Sequence, residues 1–367
     1  REYRRFYPGG EVFAHVLGVT DIDDAGQEGL ELTYNAQLVG TPGVKRVIKN
    51  RRGEIVENVE EVRAAEPGHT LTLTLDRRIQ YLAYRELKAA MFEHSASSGS
   101  MVILDIPSGD VLAMVNYPSF NPNARSNGDI AARRNRAVTD LFEPGSVIKA
   151  LTVSAGLESG KFTKDTVIDT NPGTLLVRNH IVRDVHNYGL CDLTRLLTKS
   201  SNVAATKIAL ELDNAHLYDM YHRFGFGELT GSGFPGEAPG VLPEPNGWGQ
   251  VEKATLSYGY GLSVNALQLA QAYAALADGG RLRPPRFVHE AVHADARSLL
   301  DPGIAHDVLL MLETVTGPGG SGTKAAVPNY RVAGKTGTAR RAVAGGYEGR
   351  YVSVFAGVVP VSQPRLA

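Results

Sequence analysis

The chain of 367 residues has one cysteine, Cys191, which excludes an intrachain disulfide framework. That scarcity does not exclude an oxidising compartment, because a chain this long can bury a core that needs no covalent staple. Excess charge is also lacking: 38 Lys and Arg against 39 Asp and Glu leave a net charge of -1. No global field therefore attracts nucleic acid or an anionic membrane, and basic clusters such as Arg133-Arg134-Asn135-Arg136 read first as solvated faces. No apolar run is long enough to span a bilayer. The opening Arg1-Glu2-Tyr3-Arg4-Arg5 is charged, unlike a signal peptide, so the sequence reads as the soluble portion of a longer protein.

What is present suggests a small module followed by a large domain. Residues 1–68 are rich in glycine and charge, with β-like pieces such as Glu11–Leu17, and hold too little apolar material for a separate large core. Glu66-Pro67-Gly68 marks a turn, after which Thr70–Leu75 alternates as a half-buried strand should. The main domain, residues 69–367, starts there. Asp76 is a candidate N-cap for a helix with Ile79, Leu82, Ala83, Leu87, Ala90 and Met91 at helical spacing. Met101–Asp105 and Val111–Val115 flank Pro107-Ser108-Gly109-Asp110 as a β-hairpin. Residues 130–280 turn mostly helical, including a helix after Asn265 that stops before Gly279. Strand-like runs return at 330–335 and 351–357. Strands at both ends with helices between them predict an α+β domain on an antiparallel sheet.

Ser146-Val147-Ile148-Lys149 follows the turn residues Glu143-Pro144-Gly145. Residues three apart on a helix are neighbours, so this spacing brings a hydroxyl within reach of an amine, as a nucleophile and its base require. A bare Ser-x-x-Lys is common by chance, and a solvated pair is its ordinary meaning. Two further boxes follow in order: Ser200-Ser201-Asn202 and Lys335-Thr336-Gly337-Thr338. Alone, the first of these reads as a helix cap and the second as a strand end or turn.

Taken together and in order, with Arg134-Asn135-Arg136, Asp140, Phe142-Glu143-Pro144-Gly145, Val203, Tyr258-Gly259-Tyr260-Gly261 and Ala339 around them, they make the chain resemble the class B penicillin-binding proteins, most closely the division-specific type. The resemblance covers nearly the whole chain. It implies the penicillin-recognising serine transferase fold, with residues 1–68 as an incomplete pedestal module and the last strand and C-terminal helix of the main domain absent. An edge left unpaired beside the Lys335 strand is one expected consequence. The implied activity is a serine D,D-transpeptidase that crosslinks peptidoglycan stem peptides through an acyl-enzyme and is blocked covalently by β-lactams.

Site roles follow from the same resemblance. Ser146 is the nucleophile and Lys149 its base, with Lys335 helping to depress the amine pKa. Ser200 relays a proton, and the Asn202 amide holds both Lys149 and the substrate backbone. The strand bearing Lys335, Thr336 and Thr338 recognises the terminal carboxylate, and Gly337 lets substrate lie close to that strand. The backbone N–H groups of Ser146 and Thr338 form the oxyanion hole. Tyr258 and Tyr260 either shape the cleft or simply fix a loop. No cofactor or metal is called for. The implied setting is the periplasmic face of the inner membrane, through an N-terminal anchor outside this chain, with a lipid-linked glycan polymerase and other division proteins as partners. Nucleic acid is not among the expected partners.

Rival readings are a β-lactamase or D,D-carboxypeptidase, which release the acyl group to water, and a β-lactam sensor that does not process peptidoglycan. The N-terminal module, with Tyr7-Pro8-Gly9-Gly10-Glu11 and Glu28-Gly29-Leu30-Glu31, argues against these. Two decoys are present. His289-Glu290-Ala291-Val292-His293 matches a zinc-protease helix, but Pro284-Pro285 precede it, the pattern fits an extended segment equally well, and Glu313 is the one speculative third ligand. Gly334-Lys335-Thr336 ends like a phosphate-binding loop but has Asn329 where that loop needs glycine.

Overall fold

A computed structural model describes residues 5–124, 130–289, 295–343 and 346–367. Near the N-terminus, alternation in Glu11–Leu17 does not produce a strand. Gly10–Val12 is a 3-10 turn and Ala14–Leu17 a short helix. Ala14 and Val16 turn inward, and Val16 and Leu30 join Leu104, Met114, Val138 and Phe287 in one apolar cluster. The N-terminal residues thus share a core with the segments that follow. Strands β1 (Val44–Lys49) and β2 (Ile55–Arg63) form an antiparallel hairpin that leaves Ile48, Val56 and Val62 exposed.

Thr70–Leu75 is not a regular strand; Leu73 alone bridges Val288, with Thr74 N–H donating to Phe287 O. Asp76 caps helix α1 (Arg77–Glu93), its carboxylate accepting from the N–H groups of Arg78 and Ile79. The buried face is rotated from the expected one: Leu82 is exposed, whereas Gln80 is buried and its amide bonds Val12 O, Met114 O and Met114 N–H. The predicted hairpin is present as β3 (Gly99–Leu104) and β4 (Val111–Tyr117).

Helix α2 (Lys149–Glu158) runs through the centre, buried from Lys149 to Gly156. Around it pack α3 (Leu193–Lys199), α4 (Asn202–Glu211), α5 (Asn214–Arg223), α6 (Ala266–Ala277) and α7 (Pro302–Thr316). Ile148, Leu151 and Val153 are almost wholly buried, and each such side chain contributes about 1.5–3 kcal/mol of burial. Asn265 caps α6 in a reciprocal capping box with Gln268, and Gly279 beyond its end has φ +66°. A small hairpin of β5 (Thr174–Val177) and β6 (His180–Arg183) lies beside α4.

Strands β7 (Ala333–Val343) and β8 (Gly346–Val358) pair antiparallel with Lys335 opposite Ala356 and Thr338 opposite Ser353. Helix α7 covers β7. Residues 365–367 join the two large hairpins: Leu366 bridges Val359 on one side and Asp105 on the other. This terminal segment lies beside the ends of β8 and β3, not beside the Lys335 strand.

Candidate active site

The turn that carries Ser146 is built by backbone constraints. Pro144 sits at φ −68°, and Gly145 adopts φ +56°, a left-handed conformation that suits glycine. Gly145 N–H donates to Gly259 O at 3.1 Å. Gly259, at φ +92°, approaches so closely that a Cβ there would lie 2.1 Å from Gly145 O. The tyrosine-glycine loop is therefore a buttress for the turn. Gly145–Ile148 is a 3-10 helix leading directly into α2. In the tighter helix, residues i and i+3 eclipse, which sets Lys149 over Ser146 with Nζ 3.0 Å from Oγ.

Lys149 is fully buried, and its Nζ also lies 2.7 Å from Ser200 O, 2.6 Å from Asn202 Oδ1 and 3.2 Å from Ser200 Oγ. The two shortest contacts are to oxygens that can only accept. A neutral amine satisfies them with its two N–H bonds and keeps its lone pair for the Ser146 hydroxyl. Burial first, and then the nearby Lys335, push its pKa well below the ordinary lysine value; Asp184 acts in the opposite sense.

Ser200-Ser201-Asn202 caps a helix and also brings Ser200 and Asn202 against Lys149. Ser201 is the N-cap of α4, accepting from Ala204 N–H at 3.0 Å. Ser200, at φ +62°, links α3 to α4 in the left-handed region, where a non-glycine residue costs of order 1–3 kcal/mol. That conformation places its Oγ between Lys149 and Lys335, whose Nζ is 3.0 Å away. Lys335 is itself buried, and desolvation lowers its pKa to about 7. Asn202 Nδ2 donates to Arg183 O at 2.9 Å, leaving its second N–H for other partners.

On β7, alternation sends Lys335, Gly337 and Ala339 inward and leaves Thr336 and Thr338 on the other face. The small size of Gly337 has a nearer cause than the substrate: a Cβ there would stand 2.7 Å from Pro144 O. This closeness also brings the Thr338 backbone against the turn, since a Cβ on Gly145 would be 3.3 Å from Thr338 O. Ser146 N–H and Thr338 N–H thus belong to two segments in direct contact.

Residues given no role from the sequence, Ser321, Glu143 and Tyr347, also border the site. Ser321 Oγ lies 2.9 Å from Thr336 Oγ1, so it orients that hydroxyl. Glu143 Oε1 accepts from Gly261 N–H at 2.8 Å and from Tyr347 OH at 3.1 Å, tying the turn to the tyrosine loop and to β8. Tyr258 is buried and within 3.2 Å of His180 Nε2, whereas Tyr260 contacts both Tyr258 and Tyr347 edge to face. Tyr258 thus fixes the loop, and Tyr260 belongs to an aromatic row on the same side. Separation in sequence hides the contacts of Ser321 with Thr336, of Glu143 with Gly261 and Tyr347, and of Tyr258 with His180.

The histidine decoy is only partly in view: His289 N–H donates to Thr72 O, and residues 290–294 lie outside the described residues. Glu313, considered as a third ligand, forms a two-pronged ion pair with Arg331 at 2.7 and 2.6 Å.

Comparison with known proteins gives this arrangement its context. Residues 99–367 match the penicillin binding protein transpeptidase domain, and residues 1–73 match the penicillin-binding protein dimerisation domain. Over its full length the chain is 42% identical to the peptidoglycan D,D-transpeptidase FtsI of Escherichia coli K12, covering 62% of that protein. It is 40% identical to the probable peptidoglycan D,D-transpeptidase PbpC of Pseudomonas aeruginosa, covering 65% of it. The chain thus spans less than two thirds of these relatives. Among solved structures, penicillin binding protein 3 from Mycobacterium tuberculosis aligns over 99% of this chain and 82% of its own, with TM-score 0.87 and 34% identity. The transpeptidase domain of Burkholderia pseudomallei penicillin-binding protein 3 aligns over 82% of this chain and 87% of its own, with TM-score 0.74 and 38% identity. With a match covering most of its length and relatives at this identity, the chain belongs to the penicillin-binding protein transpeptidase family.

Proposed function

We propose that the chain carries the catalytic part of a serine D,D-transpeptidase that crosslinks peptidoglycan stem peptides and is acylated by β-lactams. The observation that carries this reading is the convergence on Lys149 Nζ of Ser146 Oγ, Ser200 Oγ and Asn202 Oδ1, with Lys335 closing the group behind Ser200.

The chemistry runs as an acyl transfer in two stages. Neutral Lys149 takes the Ser146 proton as Oγ bonds to the carbonyl carbon between the terminal D-alanines. Negative charge gathers on the carbonyl oxygen, met by the N–H groups of Ser146 and Thr338 and by the positive end of the helix that starts at the turn. Collapse breaks the peptide C–N bond, and the departing D-alanine amine takes the proton from Lys149 through Ser200. An acceptor amine then attacks the ester and gives its proton to Lys149, and Ser146 recovers its hydrogen. Thr336 and Thr338 hold the terminal carboxylate, and the free N–H of Asn202 holds the substrate backbone.

Acyl release to an amine rather than water is supported by the N-terminal match to the penicillin-binding protein dimerisation domain. We place the activity at the periplasmic face of the inner membrane, in septal wall synthesis, with a lipid-linked glycan polymerase and other division proteins as partners and an anchor outside this chain. Among the described residues no helix is long and apolar enough to cross a membrane. The test is incubation with a stem peptide ending in D-Ala-D-Ala and an amine acceptor, followed by mass analysis. A crosslinked product with release of D-alanine is expected; hydrolysed peptide alone would favour a carboxypeptidase.

A further inference from the structure

We infer that Asp184, just beyond β6, is a positioning residue for this reaction: it fixes the backbone from Ser201 to Val203 and thereby holds the Asn202 amide against Lys149. The inference rests on the transpeptidase reading and extends it to a residue outside the three sequence boxes.

The Asp184 carboxylate is fully engaged with the start of α4. Its Oδ2 accepts from Ser201 Oγ at 2.7 Å, and its Oδ1 accepts from Asn202 N–H at 2.5 Å and Val203 N–H at 3.0 Å. Ser201 Oγ in turn accepts from Ala204 N–H, so the first three free N–H groups of the helix are all satisfied. The neighbouring Arg183 carbonyl accepts from Asn202 Nδ2. Two consecutive residues therefore hold both the backbone and the side chain of Asn202, whose Oδ1 meets Lys149 Nζ. Asp184 is itself anchored, its N–H donating to Gly173 O at 2.9 Å.

Charge gives Asp184 a second influence. The charged groups acting on Lys149 are Lys335, from β7, and Asp184, and they oppose each other: the cation lowers the amine pKa and the carboxylate raises it. No Lys or Arg lies within ion-pair distance of Asp184 among the described residues; the other titratable groups that feel it are Tyr188 and Cys191. Its negative charge is therefore not cancelled locally, and its removal makes Lys149 easier to deprotonate.

Two variants separate position from charge, read by the rate of acylation with a fluorescent penicillin across pH. Asp184→Asn keeps an oxygen acceptor and loses the charge; the rising limb of its profile is expected at lower pH than in the wild type. Asp184→Ala loses both tether and charge: its limb is expected to move as in Asp184→Asn, and its plateau rate to fall about tenfold or more, the equivalent of one charged hydrogen bond, with partial rescue by Asp184→Glu. An unmoved limb in Asp184→Asn, or a rate in Asp184→Ala equal to wild type, overturns the inference. Failure of the wild type to acylate at all overturns the transpeptidase reading first and removes this inference with it.

Discussion

Gly259 and Gly145 meet backbone to backbone, so closely that a Cβ on Gly259 would fall 2.1 Å from the Gly145 carbonyl oxygen. A loop more than a hundred residues away in sequence thus sets the turn that presents Ser146. Gly259→Ala is expected to displace that turn and slow acylation by at least about tenfold, since small misplacements of reacting atoms are costly. Gly261→Ala is the control: it has a similar φ of +85°, but its Cβ would come no nearer than 3.8 Å to Leu256. Equal losses in the two variants would assign the effect to φ alone.

The lone pair of Lys149 should account for most of the activation of Ser146. Lys149→Ala is expected to slow acylation by at least about a hundredfold while leaving Ser146 chemically present. Stopped-flow or time-resolved mass measurement of adduct formation checks this, and near-normal acylation would remove Lys149 from the role of base.

Lys335 adds to burial in setting the pH at which that base is ready. Its positive charge penalises protonated Lys149, so its removal raises the Lys149 pKa. In Lys335→Met the rising limb of the acylation profile should move to higher pH, opposite to the shift expected for Asp184→Asn. A limb that stays in place would mean that burial alone depresses Lys149.

The N-terminal residues are held partly by one buried amide. Gln80→Leu would leave Val12 O, Met114 O and Met114 N–H without their side-chain partner. The expected cost is about 2–4 kcal/mol, measurable by denaturant unfolding. A change within about 0.5 kcal/mol would show that water or backbone shifts compensate.

Local chemistry made much of this legible in the sequence. The cap at Asp76, the hairpin around Pro107-Ser108-Gly109-Asp110 and the helix between Asn265 and Gly279 are written in turn and cap residues, and each is present. The residues of the three boxes could be named because acyl transfer restricts side-chain types, and the structure brings Ser146, Lys149, Ser200, Asn202 and Lys335 into contact. Alternation misled at Glu11–Leu17 and Thr70–Leu75, where tertiary packing and short length overrode strand propensity. Gly337 was explained by the substrate, but the contact with Pro144 comes first. Ser321, Tyr347 and Asp184, and the bonds that Glu143 makes, have no mark in the sequence because their partners are remote or belong to the backbone, and no local pattern marks such pairs.

The central claim is that Ser146 becomes acylated. Intact-mass measurement after incubation with penicillin should show one covalent adduct of the whole antibiotic on the folded wild type and none on Ser146→Ala. An unmodified wild type, or an adduct that persists in Ser146→Ala, would contradict the account.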